Sequence, residues 1–110
     1  MGIPDARRAG WVFARTVATF IVEHYLPGST AVEREGDVAR IHRARAALSG
    51  GGTFHVSSVI VDVDEMCMHF FDADEAATVV AAHARAGLQC DRIVEVRTPL
   101  GDLPTASTAS

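Results

Sequence analysis

The chain has 110 residues, 48% of them hydrophobic, 22% charged and 6% aromatic, with 10 basic against 14 acidic side chains and a formal net charge of −4. That length suits one domain, and the aliphatic content separates it from disordered chains, which are poorer in such residues and more highly charged. The acidic balance, with no lysine and no basic patch, argues against nucleic acid as the main partner, because neutralising phosphates needs clustered cations.

The apolar run Trp11–Val22 is interrupted by Arg15 and falls short of the ~20 clean apolar residues of a membrane span. Glu23 and His24 follow it with no small-x-small cleavage site, so a secretory signal is not expected and a cytoplasmic location is. Residues 1–14 read as a flexible arm and residues 100–110, ending Pro-Thr-Ala-Ser-Thr-Ala-Ser, as a disordered tail. Residues 15–99 hold the domain.

A first strand is predicted over Arg15–Leu26, rich in β-branched and aromatic residues and closed by Pro27-Gly28. Thr30 with Glu33 forms a capping box that opens a helix. Val38, Ile41, Ala44 and Leu48 then recur at helical spacing until Ser49-Gly50-Gly51-Gly52 stops it. Strands over Phe54–Val61 and Met66–Phe71 flank a short acidic link, Asp62-Val63-Asp64-Glu65. Asp72 with Glu75 reads as a second capping box for a helix ending at Gly87, and Asp91–Val96 reads as the last strand.

The order β-α-β-β-α-β is that of the α+β ferredoxin-like plan, and right-handed crossovers give an antiparallel sheet in the order 4-1-3-2 with both helices on one face. In that order Cys67 and Cys90 fall on or beside strands separated by strand one, so an intrachain disulfide is not expected. Alternation along the strands assigns Phe20, Val22, Val59, Val61, Met68, Phe70, Val94 and Val96 to the helix-covered face. The opposite face then holds Ile21, Glu23, Tyr25, Val56, Ser58, Ile60, Cys67, His69, Phe71, Ile93 and Glu95. That face is also largely apolar with no helix left to cover it, so a homodimer closing an α+β barrel is expected.

Within that layer Cys67 and His69 point the same way, with Glu23 on the neighbouring strand. A thiol, an imidazole and a carboxylate suit a borderline divalent metal. The plainer alternative is a buried Cys67 acting as a small hydrophobe and a Glu23–His69 hydrogen bond across the dimer. Another is a small-molecule pocket inside the barrel, with Glu23 or His69 as acid or base. No His-x-x-x-His pair, calcium loop, phosphate loop or nucleophile elbow is present.

Phe20-Ile21-Val22-Glu23, Leu26-Pro27-Gly28, Ser58, Cys67, Ala84-Arg85-Ala86-Gly87-Leu88 and Asp91-Arg92-Ile93 with Val96 follow one another in a familiar order. In these the chain resembles a small bacterial family typified by an actinobacterial nickel-binding, nickel-responsive protein, over about Phe20–Pro99. The resemblance implies a dimer of ferredoxin-like subunits that binds nickel at the dimer surface, with sequestration as a role. His24 stands where that family has arginine and His55 where it has an aromatic residue, so both join Glu23, Cys67 and His69 as candidate ligands of nickel or another divalent transition metal.

Overall fold

The computed structural model describes residues 17–97, so the N-terminal arm, the C-terminal tail and the first and last residues of the expected domain lie outside the described residues. The elements are β1 (Ala18–Tyr25), α1 (Ala31–Arg43), α2 (Arg45–Gly50), β2 (Phe54–Val61), β3 (Met66–Ala73), α3 (Ala76–Arg85) and β4 (Arg92–Val96). One turn of 3-10 helix, Asp62–Asp64, joins β2 to β3, with Glu65 left-handed behind it (φ 51). All three pairings are antiparallel, and the sheet runs β2-β3-β1-β4. Among the described residues no helix is long and apolar enough to cross a membrane.

Local signals explain most boundaries. The Thr30 hydroxyl accepts from the Glu33 backbone N–H, and the Glu33 carboxylate accepts from that of Thr30, closing the capping box. The first helix breaks at Ala44 and resumes as α2, which ends where Gly51 passes α3 so closely that a Cβ would stand 2.9 Å from that of Ala82. At the end of α3, Gly87 is left-handed (φ +71), its N–H bonds the Ala84 carbonyl, and the Leu88 N–H reaches the His83 carbonyl.

The second expected capping box does not form. Strand β3 continues to Ala73, and Asp72 pairs across the sheet with Thr19, whose hydroxyl donates to its carboxylate at 2.7 Å. Helix α3 therefore starts at Ala76, with no side-chain bond from Glu75.

Burial alternates along β3, with Cys67, His69, Phe71 and Ala73 buried beneath the helices. Phe20, Val22, Phe71, Ile41, Leu48, Val79 and Ala82 make the core between sheet and helices. This corrects the partition of faces. Pairing places Phe20 opposite Phe71, Val22 opposite His69 and His24 opposite Cys67, so these share a face, while Glu23 lies opposite Met68. Strand β1 is out of step by one residue with the expected sorting, and the face bearing Cys67 and His69 is the covered one. Ile21, Val59, Val61, Met68, Phe70, Val94 and Val96 share the uncovered face with Glu23 and Tyr25.

Candidate metal centre

The covered face owes its unusual chemistry to register. Ser58 stands directly opposite His69, and His24 lies one step diagonally along β1, at the position paired with Cys67. Above them passes α1, whose residues Arg34, Asp37, Ile41 and Leu48 (the last on α2) are buried at helical spacing. Two of these four are charged, so α1 presses Asp37 onto the sheet between the two histidines. Residues three apart on a regular strand face opposite ways, but a bulge between His55 and Ser57 brings His55 round to the side of Ser58.

The result is one continuous polar line through the layer. His24 Nδ1 donates to the Asp37 carboxylate at 2.9 Å and 3.1 Å, and its Nε2 donates to the Gln89 carbonyl at 2.5 Å. His69 Nε2 donates to Asp37 Oδ2 at 2.8 Å. On the other side of that ring the Ser58 hydroxyl donates to His69 Nδ1 at 2.6 Å, His55 Nε2 donates to Ser58 Oγ at 2.8 Å, and Arg45 Nε donates to His55 Nδ1 at 3.0 Å. Arg40 Nη1 adds a further bond to Asp37 Oδ1 at 2.8 Å. Every donor in this line meets an acceptor only if His24 carries both ring protons while His55 and His69 carry one each.

The electrostatics agree with that proton count. Burial pulls the His24 pKa down, but the hydrogen bond and charge of Asp37 outweigh it and the net shift is upward. For Asp37, burial opposes ionisation, yet the bonds from His24 and His69 hold its carboxyl well below the usual carboxylate range. Burial prevails at His69, which is pushed below the ordinary imidazole value despite Asp37. His55 falls to about 4, from burial first and then the positive charge of Arg45 and the neighbouring His42.

The five residues singled out from sequence are placed as follows. His24 and His69 meet at Asp37, with ring centroids 4.8 Å apart. His55 is joined to them through Ser58 and does not touch Asp37 directly. Glu23 is on the other side of the sheet, where the Tyr25 hydroxyl donates to it and Arg92 lies 3.5 Å away. Cys67 shares the covered face, but its thiol donates to the Arg34 carbonyl at 3.4 Å, and burial together with the charge of Asp37 pushes it up to about 11. It is thus a neutral thiol rather than the thiolate that metals prefer. Glu23 and His69 open on opposite faces, so no single pocket holds both. Cys67 and Cys90 are both unpaired.

Asp37 lies on a helix, outside the strand alternation that points to Cys67 and His69. Its signal was a charged residue four before Ile41, on the stripe that the helix buries.

Among the described residues, one ligand atom each from His24, Asp37 and His69 lies within 4.8 Å of the others, all three buried. The donor set fits a borderline divalent ion. Neighbouring ligands of a six-coordinate ion with ~2.1 Å bonds stand about 3 Å apart, near the nitrogen–oxygen separations already present, while the 4.8 Å span of the cluster has to close towards the ~4.2 Å that two such bonds reach. Each imidazole is also held through its second nitrogen: His24 Nε2 donates to the Gln89 carbonyl, as metal-binding histidines usually do, whereas His69 Nδ1 accepts from Ser58.

Fold and cluster together define a small α+β protein with a buried imidazole–carboxylate centre. The sequence model of the family described as "Nickel responsive protein SCO4226-like" matches residues 20–96, and the chain belongs to that family. Its structure is similar to the crystal structure of SCO4226 from Streptomyces coelicolor A3(2), with a TM-score of 0.57 and 22% sequence identity, covering 74% of this chain and 98% of that one. No curated protein matches the sequence.

Proposed function

We propose that this protein binds a divalent transition metal, nickel by preference, through His24, Asp37 and His69, and that it works as a homodimer in metal sequestration or metal response. The convergence of two buried imidazoles on one buried carboxylate carries this reading, and the printed description of the family as nickel responsive agrees with it. Nickel is cargo here. Nickel replaces the Nδ1 proton of the doubly protonated His24, while His69 binds through Nε2 by shifting its single ring proton to Nδ1, where Ser58 turns to accept it, so uptake releases the His24 proton and is stronger at higher pH. Asp37 supplies negative charge, and the two rings supply the nitrogen donors that nickel favours.

Dimerisation rests on the uncovered sheet face. Tyr25 and Val59 are 44% and 42% exposed there, beside half-buried Ile21, Met68 and Phe70. A contiguous apolar surface of this kind is expected to be covered by a second copy in a closed, two-fold arrangement. The two unpaired cysteines suit a reducing, cytoplasmic setting.

Calorimetric titration of Ni²⁺ into metal-free protein lacking a histidine tag tests the central reading. Saturable heat at one site per chain is expected, reduced at least a hundredfold in affinity by His69→Ala and within threefold of wild type in Glu23→Gln. Absence of saturable binding at protein-scale concentrations, or an equal loss in Glu23→Gln, would overturn it.

A further inference from the structure

The three protein donors leave part of a metal's coordination sphere for something else, and Asp37 connects the cluster to a place where it could sit. A cavity of about 590 Å³ lies over the start of α1, with Asp37, Glu33 and Arg40 in its wall beside Leu26 and Pro27. Arg40 bonds Asp37 although 57% of its side chain is exposed, so its guanidinium stands between solvent and the buried carboxylate. Glu33 lines the same cavity as a second carboxylate, one oxygen of which accepts from the Thr30 backbone N–H.

Charge then becomes the deciding quantity. A divalent ion on His24, Asp37 and His69 together with Arg40 brings three positive charges against the two carboxylates, Asp37 and Glu33, and so leaves one uncompensated. Buried positive charge without a counter-ion is costly, and an arginine fork matches a carboxylate in shape as well as sign. Resting on the metal-binding reading above, we propose that this cavity takes a small carboxylate ligand, which completes the coordination of the metal and pairs with Arg40 after the guanidinium leaves Asp37. The protein therefore holds its metal as a ternary complex, and Arg40 has two opposed effects. It competes with metal for Asp37 when the carboxylate is absent and anchors the carboxylate when it is present.

Cobalt(II), whose visible bands report its ligands, with malonate as the probe, tests this. In the cobalt-loaded protein malonate is expected to change the bands saturably, equimolar chloride is not, and metal-free protein should retain no radiolabelled malonate in equilibrium dialysis. Arg40→Gln should bind cobalt two- to tenfold more tightly and malonate at least tenfold more weakly. A merely structural role for Arg40 would weaken both together. Cobalt bands that form but ignore malonate, malonate that simply strips the metal, or an Arg40→Gln protein that binds malonate like wild type would each overturn the ternary complex and leave the metal site standing. If no cobalt bands form at all, both readings fall.

Discussion

Beneath its helices the sheet carries His24, Ser58, Cys67 and His69, whereas its uncovered side carries Ile21, Val59, Met68 and Phe70. The ordinary distribution of polar and apolar residues is inverted at the centre of the molecule. On the covered side the polar groups of the sheet have partners along one line, from Arg45 through Asp37 to the Gln89 carbonyl, although the buried His83 Nε2 beside Phe71 has none. On the open side the apolar residues are retained although none of the described residues covers them. Polar groups kept in a core and apolar groups kept on a surface both point outward from folding to a ligand or a partner. The contrast underlies the proposal of metal on one face and self-association on the other.

Asp37 offers the sharpest way to break that contrast. Removing it in Asp37→Ala leaves a buried imidazolium beside a second ring with no counter-charge, so a loss of about 3–5 kcal/mol is expected in urea unfolding, along with loss of nickel binding. On the other face, Phe70→Asp should leave the fold intact and weaken the dimer by about 2 kcal/mol or more, roughly thirtyfold, in sedimentation equilibrium. A wild-type protein that sediments as a monomer would remove the role given to that face. Ser58→Ala should cost about 1–3 kcal/mol, because His69 Nδ1 loses its only donor, and should lower nickel affinity about 10- to 100-fold by freeing the ring.

The smallest effect is one of pH. His55 titrates near 4 in the folded protein, below its unfolded value of about 6.5, so folding disfavours its protonated form. Its contribution is a loss of stability as pH falls from about 6.5 towards 4, when a proton on Nδ1 would oppose the donating Arg45. His24 works in the other direction. Its pKa is raised, so its pairing with Asp37 is fully present below about 6.5 and fades as pH rises through the folded value. Melting temperatures of His55→Gln should therefore fall less than those of wild type between pH 6.5 and 4.

Much of this was legible in the sequence. Thr30 with Glu33, and Gly87 with Leu88, mark helix ends by local hydrogen bonding that tertiary structure did not override. Asp72 with Glu75 carries the same kind of signal but failed, since Asp72 is held in the sheet by Thr19 and by strand pairing through Ala73. Alternation showed which residues within a strand share a side. It could not show how β1 aligns with β3, and a slip of one residue moves every side chain of a strand to the other face. That slip alone separated Glu23 from His69 and brought in His24. Asp37 could be read only from its place on the apolar stripe of α1, where a charged residue demands a partner, and the bulge that turns His55 towards Ser58 has no glycine to announce it.

X-ray absorption spectroscopy of the nickel-loaded, untagged protein bears most directly on the buried centre. The expected spectrum has a first shell of nitrogen and oxygen only, with the outer-shell scattering of two imidazole rings that is lost in His24→Ala and His69→Ala. A sulfur scatterer from Cys67, or a shell without imidazole, would contradict it.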